Sequence, residues 1–149
     1  MREIIKNLNG ELFSIGIVMS EFNLHISDTL LKACHHELIN LGVKDDHIIL
    51  VKVPGALESA LVLKKMAQSK KFDALIAIGA VIRGETFHFE VVANYSAKSI
   101  LDVQLEFSIP IINAILTTEN VEQAIDRTSV KGIEAAQAAI QMIYLLKSV

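Results

Sequence analysis

The chain has one cysteine, no tryptophan, two prolines and no run of basic residues in 149 positions. A lone thiol, Cys34, rules out a disulfide framework and a cysteine-built zinc site. Its place inside a helical pattern reads as a small core residue. A formal net charge of -3 without a basic cluster leaves no field to gather nucleic acid or anionic lipid. Neither is expected as a partner, and small molecules become the expected ligands. The opening residues MREIIKNLNGEL lack the apolar core of a signal peptide. The longest apolar run, Ala74 to Ile82, is broken by Gly79 and too short to span a bilayer. The cytoplasm is the expected location. His25, His35, His36 and His47 read as surface or core residues, because no acidic companion stands at ligand spacing on the face of His35 and His36. No metal site is expected.

What is present is apolar and periodic. Hydrophobic residues make up 52% of the chain and charged residues 21%, an apolar excess expected of a buried parallel sheet and of subunit contacts. One domain over residues 1–149 suffices, since a chain of this length buries about 68–70% of its unfolded surface. Ser14–Met19 reads as a strand. Ile26–Leu41 reads as a helix with Leu30, Leu31, Cys34, Leu38 and Leu41 on one face, stopping at Gly42. Ile48–Val53 is a second strand, turned by Pro54-Gly55 into a helix that runs to about Ser69. Ala74–Ile78 is a continuous apolar strand of the kind buried on both faces. After a loop at 83–87, Phe89, Val92, Ser96, Ser99, Ile100, Val103 and Phe107 recur at three and four, a long helix that stops before Pro110. Ile111–Leu116 is the fourth strand, Glu119–Arg127 a short helix and Lys131–Leu146 a last one. This alternation predicts an α/β fold: an open four-stranded parallel sheet with helices on both faces.

Ligands of such sheets bind beyond the carboxyl ends of the strands. That rule gathers Glu21-Phe22-Asn23, Val53 to Glu58, Gly79 to His88 and Thr117-Thr118 on one rim. Among them, Gly79-Ala-Val-Ile-Arg-Gly84-Glu85-Thr86 has the glycine and threonine spacing of a phosphate loop, with Glu85 where that loop needs lysine. A carboxylate there repels a triphosphate, and no strand ends in an aspartate to hold its magnesium. A monophosphate asks less: backbone N–H groups of Glu85 and Thr86 at a helix start, the Thr86 hydroxyl, and a cation from elsewhere. Gly84 also fits a tight turn, and Thr86 a helix cap. His88, in the first turn of the long helix, is the candidate proton shuttle near neutral pH. Glu58 sits where a helix start favours a carboxylate with or without a ligand. Phe22 stands at a strand-to-helix turn where burial does not explain it, so ring stacking is expected. Read alone, Arg127 ends a short helix and pairs with Asp126 or Glu122; Arg83 beside Gly84 reads as a structural ion pair.

Phe22-Asn23, VPGALE, IGAVIRGETFHFE and LTTENVEQAIDR with its following Lys-Gly together resemble the lumazine synthase family, from Phe13 to the end of the chain. The VPGxxE and GxVIRGxTxHxE blocks are specific. The resemblance implies a flavodoxin-like three-layer α/β/α fold and a transferase of riboflavin biosynthesis. That enzyme condenses 5-amino-6-(D-ribitylamino)uracil with 3,4-dihydroxy-2-butanone 4-phosphate and releases phosphate and water, with no cofactor. It implies proton transfer by His88, stacking by Phe22, and ribityl recognition by Glu58 with the backbone of Ala56 and Leu57. It also implies ring-edge contacts from Ala80, Val81 and Ile82, a phosphate site at Glu85, Thr86 and Arg127, and further positions at Asn23, Lys131 and Glu134.

Two departures stand out. At Asn113 the family usually carries an aromatic that reaches the heterocycle of a neighbouring subunit. Between Arg127 and Lys131 its glycine-containing loop is reduced to Thr128-Ser129-Val130. Because that loop sets the angle between the last two helices, a pentamer is expected here rather than a sixty-subunit capsid. The resemblance further implies active sites between subunits, riboflavin synthase as a partner, and the segment at Glu3-Ile4-Ile5 added to a neighbour's sheet. On residues alone that segment reads as a frayed terminus or as an unpaired edge. Two other functions stay open at this point: a nucleotide-binding domain using Gly79 to Thr86, and a non-catalytic lumazine or flavin binder, motivated by Asn113.

Overall fold

The computed structural model describes residues 1–149. Its strands are β1 (Ile15–Ser20), β2 (Ile48–Val53), β3 (Ala74–Ile82) and β4 (Ile111–Thr118); its helices are α1 (Leu24–Asn40), α2 (Ser59–Gln68), α3 (His88–Phe107) and α4 (Val121–Ser148). The four strands form one sheet in the order β2-β1-β3-β4, and every pairing is parallel. The open parallel sheet flanked by helices is as expected.

The apolar runs explain the layers. In β3, residues Ala74 to Val81 are all buried, and alternate side chains enter opposite cores, as the two-residue strand period requires. Ile76, Ile78 and Ala80 pack with Leu30, Cys34 and Leu38 of α1 and Ala136 and Ile140 of α4. Leu75, Ala77 and Val81 pack with Leu63 of α2 and with Ile100 and Val103 of α3. Each fully buried Leu or Ile contributes about 1.5–3 kcal/mol of transfer free energy. Cys34 is buried among them, and that burial pushes its thiol up to about 12. No helix is long and apolar enough to cross a membrane.

Two sequence readings need correction. The first is the break at 128–130: α4 runs unbroken through 28 residues. Nothing in Val121–Ser148 is a proline, and the Thr128 hydroxyl donates to the Ile125 carbonyl at 2.8 Å, which accommodates it inside the helix. Gly132 does not interrupt the helix either. It marks a close crossing with α1, where an added Cβ would come within 2.7 Å of Ala33 Cβ and 2.8 Å of the Leu30 carbonyl oxygen. With no hinge there, the inference from loop length to assembly size loses its basis.

The second concerns β3, which continues four residues past Ile78. Gly79, Ala80, Val81 and Ile82 pair with Ile115, Leu116, Thr117 and Thr118 of a longer β4. Gly79 is therefore a strand residue that makes room for the Ser20 hydroxyl, 2.8 Å from where a Cβ would sit. The phosphate-loop spacing is not a phosphate loop, and the nucleotide-binding reading loses its structural premise. His35 lies at the surface, where its Nε2 is 2.7 Å from Asp45 Oδ1, a partner from the 3-10 turn Asp45–His47 and not from its own helix face.

Smaller boundary shifts have local causes. A 3-10 turn, Ala56–Glu58, precedes α2. Helix α1 ends one residue before Leu41, in a motif where Gly42 adopts φ 97° and the N–H groups of Gly42 and Val43 close on the Ile39 and Leu38 carbonyls. Residues 1–9 form no regular element. They are held near the core where Tyr144 donates to the Asn9 carbonyl at 2.7 Å, while Ile5 stays 84% exposed.

Candidate active site

Strands β1 and β3 are neighbours, yet the helices that follow them, α1 and α3, pack on opposite faces. That divergence is the topological switch where such sheets open a crevice. A cavity of about 380 Å³ lies there, walled by Ser20, Phe22, Gly55, Ala56, Leu57, Glu58, Ala80, Val81, Ile82, Gly84, Thr86, His88, Phe89 and Val92. Nine of the expected site residues meet in it: Phe22, Ala56, Leu57, Glu58, Ala80, Val81, Ile82, Thr86 and His88.

Strand lengths decide what the floor offers. The β1–β3 ladder stops at Met19 opposite Ile78, whereas β3 continues to Ile82. Leu75 and Arg83 donate their N–H groups toward β4, so in a parallel ladder the even residues Ala80 and Ile82 direct theirs to the side that β1 vacates. One acceptor is already used: Asn23 Nδ2 donates to the Ala80 carbonyl at 2.9 Å. Val81 has the opposite parity, so its backbone belongs to the β4 ladder and its side chain faces the crevice. Asn23 itself is left-handed at φ 58° and ties the β1–α1 turn to β3.

The wall residues differ in chemistry. Phe22 is 72% exposed, an aromatic face on the same crevice as the carboxylate of Glu58. Gly55 lets that carboxylate fold back, since an added Cβ would sit 3.0 Å from Glu58 Oε2. His88 is the first residue of α3, and its neighbour Phe87 provides no side-chain cap. The nearest substitute is Thr86 Oγ1, 3.4 Å from the His88 N–H. Glu85 is exposed in the turn before α3 and is not part of the wall. Arg83 forms the expected ion pair, in fact two: with Glu119 at 2.7 Å and with Glu90. Hydrogen bonds from Arg83 hold the Glu90 carboxyl below the usual range, and the two carboxylates raise the guanidinium in turn.

No cation lines this crevice. Arg127, Lys131 and Glu134 border a second depression of about 320 Å³ between the end of β4 and the body of α4, together with Thr117 and Thr118. The two cavities share no wall residue. Arg127 lies in the second turn of α4, not at a helix end. It donates to the Gln123 carbonyl at 2.8 Å and enters no ion pair with Asp126 or Glu122. Asn113 is on the open edge of β4, exposed, with its Oδ1 accepting the Ile115 N–H at 2.9 Å.

The sequence reading missed Ser20, Phe89 and Val92 as wall residues. Phe89 and Val92 fall on the apolar face of α3 and look like core at any helical spacing. Ser20, the last residue of β1, was within reach of the strand-end rule. No cluster of three or more histidine, cysteine, aspartate or glutamate side chains is poised for a metal.

Comparison with known proteins places the chain in a family. The family model described as 6,7-dimethyl-8-ribityllumazine synthase matches residues 13–147. A protein of that name from Methylobacillus flagellatus is 60% identical over 147 residues, covering 99% of each chain. One from Nitrosospira multiformis is 55% identical over 98% of this chain and 91% of its own. One from Nitrosomonas europaea is 55% identical over 97% and 88%. With this coverage, the chain belongs to the 6,7-dimethyl-8-ribityllumazine synthase family.

Proposed function

We propose that this member of the family condenses 5-amino-6-(D-ribitylamino)uracil with 3,4-dihydroxy-2-butanone 4-phosphate in the β1–β3 crevice. The product is 6,7-dimethyl-8-ribityllumazine, with phosphate and water released. The observation that carries the reading is the meeting of Phe22, Glu58 and His88 around one cavity of about 380 Å³, a size suited to a small heterocycle with its side chain. Phe22 stacks on the pyrimidine, an interaction of about 0.5–1.5 kcal/mol beyond area burial. Glu58 accepts ribityl hydroxyls, with the backbone of Ala56 and Leu57 beside it. The vacated edge of β3 at Ala80 and Ile82 supplies main-chain groups to the ring edge, and Val81 contributes a side-chain contact.

His88 moves the protons. Imine formation between the amine and the ketone, departure of phosphate and ring closure each need a proton delivered or removed, and an imidazole changes charge in the physiological range. Phosphate needs a cation, and Thr86 alone has none. Arg127 provides it, with Lys131 and Glu134 around it and the turn at Glu85 opposite. These cations belong to a depression separate from the crevice, so the complete site is assembled from two copies of the chain in a homo-oligomer, a pentamer. Asn113 then faces the neighbouring copy's heterocycle as a polar group. The N-terminal segment, Glu3 to Ile5, adds to the adjacent sheet. Riboflavin synthase is the partner that consumes the product.

The test is direct. The purified protein with both substrates yields the absorbing and fluorescent lumazine, and omission of either substrate abolishes it. Product binding without condensation would select the non-catalytic reading. Sedimentation equilibrium reports the assembly: a monomer would overturn the two-copy site.

A further inference from the structure

We propose that Arg83 is a positioning residue for proton transfer: its guanidinium ties the first turn of α3, and with it the His88 ring, to the ends of β3 and β4. The proposal rests on the reading of His88 given above. That turn has little else to hold it. Residues Arg83 to His88 are all exposed, and a Cβ placed on Gly84 would meet nothing within 4 Å. Phe87 offers no side-chain cap to α3, and Thr86 reaches the His88 N–H only at 3.4 Å, beyond the usual hydrogen-bond range.

Arg83 spans the gap. Its N–H donates to the Thr118 carbonyl at 2.9 Å, which fixes its backbone to β4. Its Nε donates to Glu119 Oε2 at 2.7 Å, just beyond β4, and its Nη1 donates to Glu90, two residues past His88 in the same turn. The guanidinium carbon lies 4.3 Å from the centre of the Phe89 ring, and Phe89 is itself a wall of the crevice. One planar fork thus joins three elements, an arrangement lysine's single ammonium does not reproduce. The same hydrogen bond is the first cause that lowers the Glu90 carboxyl.

A half-exposed pair contributes little to global stability. Orientation is more sensitive: a misplacement of about 1 Å costs up to about 10²-fold in rate, because a proton shuttle must stay within hydrogen-bond reach. Arg83 therefore acts on rate more than on folding.

Arg83→Met keeps the apolar stem and removes the fork. The expected result is a kcat about 10-fold lower, with KM for both substrates within about twofold and an unchanged elution volume. In a His88→Ala background the same substitution costs less than about twofold further, because its effect passes through the missing ring. Arg83→Lys restores only a minor part, and Glu90→Gln, which removes one leg, gives an intermediate loss if Arg83→Met fails to fold. A wild-type kcat in Arg83→Met, or an equal loss with and without His88, overturns the proposal. If the wild-type protein makes no lumazine, the proposed function falls instead. The tether is then judged by amide exchange at Glu90 and Val91, whose N–H groups bond to the Phe87 carbonyl: faster exchange in Arg83→Met supports it, and unchanged exchange overturns it.

Discussion

The crevice at the β1–β3 switch and the depression between β4 and α4 sit at the same end of the sheet and are chemically opposite. The first is aromatic and apolar with one carboxylate and one imidazole, and no cation on its wall. The second has Arg127 and Lys131, neither in an ion pair, with a single carboxylate. A substrate pair made of an uncharged heterocycle and a phosphate ester calls for both, and one protomer holds them apart. The difference teaches that one chain's rim carries two chemically distinct depressions, which the proposed function reads as two half-sites, one for rings and polyols, the other for an anion.

The comparison sharpens fastest at the reacting group. His88→Ala is expected to lower kcat by about 10²-fold or more, the usual worth of a general acid-base residue; steady-state formation of the lumazine measures it, and a full rate removes His88 from the chemistry. Arg127→Met comes next. Loss of a hydrogen bond to a charged group, about 1.5–3 kcal/mol, translates to roughly 10- to 150-fold in affinity. The loss should fall on the butanone phosphate and spare the pyrimidine, so a KM measured against each substrate separates the half-sites. Mixing the two variants as one co-assembled oligomer tests the sharing between copies. If each site takes its crevice from one chain and its cation from the next, about a quarter of sites are intact by chance. If each chain completes its own site, none are.

Phe22→Ala is smaller, about 2- to 10-fold in pyrimidine affinity from the stacking energy alone, read by titrating product fluorescence. An equal loss in phosphate binding would blur the distinction between the regions. The smallest effect is electrostatic. In an NMR titration the Glu90 carboxyl should show a midpoint below that of the exposed glutamates, and Arg83→Met should move it up. A carboxyl with a lowered folded-state value stabilises the fold above its unfolded value. The Arg83–Glu90 contribution is therefore present at neutral pH and fades only as pH falls through the lowered Glu90 midpoint.

Much of the fold was legible because its signals are local. The β-branched runs and the three-and-four spacing of Leu30, Cys34 and Leu38 report burial on one face or two, and burial sets the layers. The crevice followed from one topological rule, which brought Phe22, Glu58 and His88 together across the chain before any coordinates. Other features were not local. Gly79 looks like a loop residue, yet whether β3 stops there depends on how far β4 extends alongside it, and that partner is more than thirty residues away. The close crossing of α4 with α1, where Gly132 admits the Leu30 carbonyl at 2.8 Å from a would-be Cβ, is likewise set by a helix distant in sequence. Arg83 showed only that it had a partner to find; the identity of Glu90 and Glu119 required two helix starts and a strand end to converge.

Read by itself, the sequence determined the alternation of strands and helices, the apolar faces and the residue types offered at each strand end, because these rest on backbone period and side-chain solvation along a continuous stretch. Only the tertiary structure decided which strand outlasts its neighbour, which backbone groups are left open at Ala80 and Ile82, and that Arg127 lies across β4 from His88's crevice. Those outcomes depend on register and crossing distance between distant segments, and no local pattern encodes them.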